Sequence, residues 1–350
     1  SRDLGQRLIM TVGFRPALTD LDAADAFFCA SFAACLPQDI EIFAGANWLS
    51  PLALNFTQDR RNSILNPSSG WAWLVDLEHA RGYTASDFEY NRLLGEVTGY
   101  RTARGWVLAG RLAGGMVGRG RFAEIEDGLL RVVHPQKRCY SGGANSVRGF
   151  AENRLGPRVL TTDRQDLLGY PTPTAAGPVC QPEEVVAGTC DPEPLGDEAF
   201  FEQPVGGTVL LEANAEVRFP LMVGSLQGVG FVDIGQVWLD RSDFGLGSIE
   251  VTPGFGVRYL SPIGPIRVDI AARPRGSEFL PVATRGLRPF QEGVDLDDDR
   301  LSVPWSDGGV QALDWVGTDE IAFLSSPASF GGAGGLFRRL QLHISIGQAF

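Results

Sequence analysis

The chain has 350 residues, of which 44% are hydrophobic and 21% charged, with 44 Gly and 22 Pro. That apolar share excludes wholesale disorder, and a net charge of −12 argues against a nucleic-acid-binding face. No stretch reaches the ~18 consecutive apolar residues of a membrane helix, so a membrane protein of this sequence would need strands of about 9–11 residues.

The chain begins at Ser1 with no basic and apolar leader, as expected of a processed or partial chain. Helical periodicity is scarce, and period-two alternation takes its place. In the first such segment Leu8, Met10, Val12 and Phe14 oppose Arg7, Thr11 and Arg15. A loop is expected over 18–40, and a tight turn at 66–70. A second long loop follows over 137–206, rich in Pro, Gly and acids. Over 208–219, Val209, Leu211, Ala213, Ala215, Val217 and Phe219 oppose Thr208, Leu210, Glu212, Asn214, Glu216 and Arg218. Over 266–273, Ile266, Val268 and Ile270 oppose Arg267, Asp269 and Arg273. A third long loop covers 274–338. Over 340–350, Leu340, Leu342, Ile344, Ile346 and Phe350 oppose Gln341, His343, Ser345, Gly347 and Ala349.

Alternation fits two architectures. A soluble sandwich turns the apolar face inward, whereas a membrane barrel turns it toward lipid and keeps the polar face in the lumen. Mixed Glu, Arg and Asp on single strand faces suit a wet lumen. Short turns on one side and long loops on the other suit a barrel as well. Trp48, Trp106, Trp238, Tyr100, Tyr259 and Phe350 fall near strand ends, as in an interfacial girdle.

The cysteines form two local pairs, Cys29/Cys35 and Cys180/Cys190, with Cys139 left over. Neither spacing fits a zinc knuckle, and His79, His134 and His343 lie far away. Disulfides in an oxidising compartment are expected, with free thiols as the alternative. No metal or other cofactor is expected. The acidic run Glu292, Asp295, Asp297, Asp298 and Asp299 lacks calcium-loop spacing and reads as a solvated loop.

Residues 137–157 read Lys-Arg-Cys-Tyr-Ser-Gly-Gly-Ala-Asn-Ser-Val-Arg-Gly-Phe-Ala-Glu-Asn-Arg-Leu-Gly-Pro. This closely resembles the signature of the BamA/TamA family of outer-membrane assembly proteins, the bacterial surface antigen family, carried here by Gly142, Gly143, Val147, Arg148, Gly149 and Phe150. Segments 59–70, 207–220, 230–238 and 254–269 resemble further family segments in the same order. The closing His343, Ile344, Ile346, Gly347 and Phe350 look like the C-terminal β-signal read by the insertion machinery.

The resemblance implies an all-β, transmembrane antiparallel barrel in the bacterial outer membrane. It implies that the 137–157 loop folds into the barrel, with Arg148 held by Glu216 and Asp233. From the residues alone, the glycines at 142, 143 and 149 permit unusual backbone shapes, and an Arg in a partly dry lumen needs a carboxylate, ideally bidentate. The family barrel has sixteen strands. These 350 residues hold about ten to twelve at about 9–11 residues each, so one incomplete barrel domain over 1–350 is expected, with 5–17 near the seventh strand. The family's periplasmic POTRA modules are not visible.

The implied activity is non-enzymatic insertion or translocation of β-barrel or autotransporter proteins. No Gly-x-Ser-x-Gly, His-Glu-x-x-His or P-loop pattern occurs. The expected partners are outer-membrane lipids, client outer-membrane proteins and periplasmic or inner-membrane subunits, with no nucleic acid. A two-partner-secretion translocator, the barrel anchor of a patatin-like lipase and a simple porin are the alternatives.

Overall fold

The computed structural model describes residues 2–3, 8–20, 25–32, 35, 37–125, 128–221, 225–262, 264–273, 277–331, 339–347 and 350. The alternating segments build one antiparallel meander. Its strands, in chain order, are β1 (Arg2–Asp3), β2 (Leu8–Phe14), β3 (Leu52–Asp59), β4 (Gly70–Ala80), β5 (Tyr90–Ala103) and β6 (Trp106–Ile125). They continue as β7 (Val209–Pro220), β8 (Leu226–Trp238), β9 (Glu250–Ser261), β10 (Gly264–Ala272) and β11 (Leu340–Ile346). Each strand is laddered to the next in sequence, and Gly128–Val132 folds back on the far end of β6 to bring the sheet to 12 strands. That matches the ten to twelve strands expected. Among the described residues no ladder joins β11 back to β1.

The two faces of this wall decide between sandwich and barrel. Its apolar face is the open one: Val12 is 65% exposed, Phe255 65% and Ile344 70%. Its charged face is the closed one, with Arg258, Arg267 and Asp269 fully buried. A soluble sandwich requires the opposite. An apolar exterior around a charged interior is the arrangement of a membrane barrel.

Short connections at 60–69, 104–105, 221–225 and 262–263 mark one rim, and the long segments leave the other. Those long segments carry structure of their own. Residues 158–204 and 282–323 together form a five-stranded sheet, in the order Phe201–Pro204, Arg158–Thr161, Val282–Pro289, Val310–Phe323, Arg300–Pro304. This lid has its own core of Leu160, Leu167, Val185, Val282 and Val303, closed by a Cys180–Cys190 disulfide. The segment expected as a loop over 18–40 holds two short helices, Asp25–Phe32 and Pro37–Ala44. The first is apolar nearly all round and shows no amphipathic stripe, hence its absence from a periodicity search. Phe27, Phe28, Ile40 and Phe43 pack with Phe88, Tyr90 and Val133, and a Cys29–Cys35 disulfide ties the first helix to the connection leading into the second.

The aromatic girdle is only partly as expected. Trp48, Trp106 and Tyr259 are exposed, but Tyr100 and Trp238 are buried. Trp238 is covered by the next loop, donating to Ser248 and packing on Phe244. Tyr100 faces the lumen, where its ring stacks on Phe350 and its hydroxyl donates to the Phe350 carbonyl. Phe350 therefore points inward, not toward lipid.

His134, between the Gly128–Val132 strand and the docked loop, is fully buried against Phe88. Burial, with Lys137 and Arg138 nearby, lowers its pKa from 6.5 to about 4. Below pH 6.5 an unfolded His takes up a proton that the folded one refuses until about pH 4. Stability is therefore unaffected above pH 6.5 and falls by up to about 1.4 kcal/mol per pH unit on acidification through that window. The protection factors of amides 128–139, taken against the intrinsic exchange rate at each pH, should fall between pH 6.5 and 4, and His134→Gln should flatten the dependence. Leu167→Ala should cost the lid about 2–5 kcal/mol. Lid melting should move, while the heat-dependent gel mobility of the barrel should not.

Candidate functional site

The lumen face of the wall is set by strand parity. Even positions of β5, β7 and β9 and odd positions of β6, β8, β10 and β11 point inward, following the registers Glu212↔Ala113, Asn214↔Asp233, Gly256↔Asp269 and Asp269↔His343. Against this face lies the loop containing Arg148.

Arg148 is 1% exposed. Its Nε and Nη2 donate to the two carboxylate oxygens of Asp233 at 2.7 and 2.9 Å, a bidentate fork. Its backbone N–H also donates to Asp233, at 3.1 Å. Nη1 reaches Glu216 at 3.1 Å and Asp269 at 3.4 Å. The guanidinium carbon lies 3.3 Å from the centre of the Phe231 ring. Asp233, Glu216 and Asp269 come from β8, β7 and β10, so one side chain gathers three strands.

The acids are shared with wall arginines. Glu216 also accepts from Arg218 and Arg258, each at 2.6 Å. Arg267 sits 3.5 Å from Asp269 and donates to the Ala144 carbonyl and the Asn145 side chain of the docked loop. One strand away, Arg111 joins Glu96 and Glu212, and the hydroxyls of Ser141 and Ser146 donate to Glu212. Asn214 bridges the Ser146 carbonyl and Asp233. Arg111, Arg148, Arg218, Arg258 and Arg267 thus meet an equal number of carboxylates. A dry interior tolerates such charges only when balanced and hydrogen-bonded.

Glycines make room for this docking, in two ways. Gly142 and Gly143 have φ of +104° and +105°, a region other residues resist. Gly149 has no such backbone. Its requirement is space, because a Cβ there would lie 2.2 Å from Thr252 on β9. The expectation of an unusual backbone at Gly149 is corrected accordingly. Val147 and Phe150 are buried with Leu155 as the loop's apolar footing.

The C-terminal residues divide. His343 lies on β11 opposite Asp269, and its Nε2 meets the Arg148 carbonyl at 2.9 Å, tying the last strand to the docked loop. Ile344 and Ile346 point outward and are exposed. Gly347 has φ of +103° and turns the chain inward, toward the Phe350 position described above. Pairing of Arg258 and Arg267 with the Arg148 cluster was not foreseen, although parity alone puts both on the inner face. The single Cys139 is buried, and burial pushes its thiol up to about 11. His79, His134 and His343 lie in separate surroundings. The acidic run engages Arg288 through Asp295 and Arg300 through Asp297.

A model of the Omp85 superfamily domain matches residues 15–278. The chain belongs to the Omp85 superfamily. It is an outer-membrane β-barrel, in keeping with the apolar exterior and charged lumen of its wall. Among solved structures, BamA from Haemophilus ducreyi lacking POTRA domains 1–3 superimposes with a TM-score of 0.50 at 16% identity, over 78% of this chain and 49% of that one. This chain therefore spans about half the length of that BamA. CdiB from Acinetobacter baumannii aligns at 12% identity with a TM-score of 0.28, over 66% of this chain and 39% of that one.

Removing Arg148 leaves Asp233, Glu216 and Asp269 buried around a missing cation, at a cost of about 3–5 kcal/mol. Arg148→Ala should therefore lower the unfolding midpoint in gel mobility assays much more than Arg154→Ala, whose side chain is 33% exposed. Gly149→Ala should act in the same direction as Arg148→Ala, through the Thr252 clash.

Proposed function

We propose that this Omp85 barrel is a non-enzymatic assembly factor that inserts or translocates client β-barrel or autotransporter proteins at the outer membrane. The reading is supported above all by the state of β11. One edge of this strand is laddered to β10, and its other edge carries no ladder among the described residues. Where the seam beside the last strand opens, that edge presents a row of donors and acceptors, a template for an incoming strand.

The inner side of the same strand is held by His343 against the docked loop. β11 can then offer its outer edge without losing its place in the wall. Gly347, with open space where a Cβ would sit, ends the strand and lets the chain leave the wall. In this reading a client strand pairs with β11, and the docked loop keeps the lumen filled meanwhile. Lipids of the outer membrane surround the exposed apolar face, and periplasmic or inner-membrane subunits deliver the client.

The experiment is photo-crosslinking from Leu342 and Ile344, together with insertion of a reporter barrel into proteoliposomes. Crosslinks to the client's terminal strand are expected from both positions. Gly347→Val should slow insertion at least fivefold. Crosslinks absent from both sites, with insertion unchanged by Gly347→Val, would sink the proposal.

A further inference from the structure

Between the lid, the docked loop and the long-loop ends of β10 and β11 lies a cavity of about 150 Å3. Four arginines line it: Arg154, Arg158, Arg273 and Arg339. Glu202 accepts from Arg154 at 2.9 Å and also from Arg158. Arg158 reaches Glu278 as well, and Glu278 lies 3.7 Å from Arg273. Arg339 pairs with no carboxylate among the described residues. The Nε of Arg273 is buried with no hydrogen-bond partner. Four cations therefore share two carboxylates, leaving an excess of two positive charges.

In the cluster around Arg148 arginines and carboxylates balance, as the low dielectric demands. Here they do not, and the surplus surrounds a space of roughly five water volumes at about 30 Å3 each. Forked guanidinium donors match the oxygens of a phosphate. A phosphomonoester carries about −1.5 to −2 at neutral pH, close to the missing charge. Phe150, Phe330 and Leu340 supply an apolar side for the carbon substituent of an ester.

We propose that this cavity binds one phosphate group, either the free ion or a phosphate borne by an outer-leaflet lipid. The bound group bridges Arg154 and Arg158, beside the lid, to Arg273 and Arg339 at the ends of β10 and β11. It would thereby fasten the lid to the last strand.

The test uses the whole chain in uncharged detergent, titrated with inorganic phosphate against chloride of matched ionic strength. Phosphate should raise the unfolding midpoint by several degrees and chloride should not. Arg273→Gln and Arg339→Gln should each weaken the apparent phosphate affinity at least fivefold. Arg339 has no described ion pair to lose, so its variant keeps the fold intact. Arg104→Gln, in the turn between β5 and β6 at the opposite rim, should leave the affinity unchanged. In nanodiscs, a shift with phosphorylated lipid A that dephosphorylated lipid A does not give identifies a lipid source. A shift with the free ion alone identifies free phosphate. No shift with either phosphate source, equal shifts with phosphate and chloride, or variants that respond like the parent chain, would overturn the proposal.

Discussion

A guanidinium out of water must be answered by carboxylates, and that constraint organises this barrel. Arg148 enters the lumen on a loop, not on the wall, so its partners have to be presented by the wall at matching heights. Asp233, Glu216 and Asp269 come from three strands, and each sits at a lumen-facing position of its ladder. A register slip by one residue in any of them would turn its acid toward lipid. The ion cluster is a weak source of net stability, since desolvation offsets most of the attraction. Its contribution is a unique arrangement: one loop position and one set of registers.

The same cluster reaches the last strand. Arg148 gives its side chain to β7, β8 and β10 and its backbone carbonyl to His343 on β11. The edge strand is thereby held by a ladder on one side and by the docked loop from within. A strand with only one ladder frays easily. Internal anchoring through His343 gives it a second hold on the wall. The lid acts at the opposite end, where its charges and the unbalanced arginines beside β11 sit against the docked loop. Loop, lid and last strand form one connected unit.

Much of the wall was legible in the sequence. Alternation marks β2, β7, β10 and β11, because residues two apart share a face of a strand and need the same surroundings. The family resemblance of the motif around Arg148 implied both the docking and two of its three acids. Other features stayed hidden for definite reasons. The helix Asp25–Phe32 is too uniformly apolar to show a period. Gly149 looked like a backbone requirement, yet the limit is the Thr252 methyl on a strand a hundred residues away. Asp269 stood out as a polar-face residue, but nothing local tells which loop it will meet. Tyr100 and Phe350 looked like girdle residues by their positions at strand ends, and they found each other inside.

By itself, the sequence determined the strands, the parity that separates apolar from charged positions, and the loop chemistry that requires a buried counter-charge. These are local properties, fixed by backbone geometry and by spacing along the chain. Only the tertiary structure decided which face is inside. Alternation is identical for a sandwich and a barrel, and the difference appears only when Val12 and Phe255 lie open while Arg258 and Asp269 lie buried. Only the tertiary structure, too, joined residues 158–204 to 282–323 as one lid and brought Arg154, Arg158, Arg273 and Arg339 around one cavity. Such meetings depend on how the wall curves and where its long connections land. No period in the sequence encodes them.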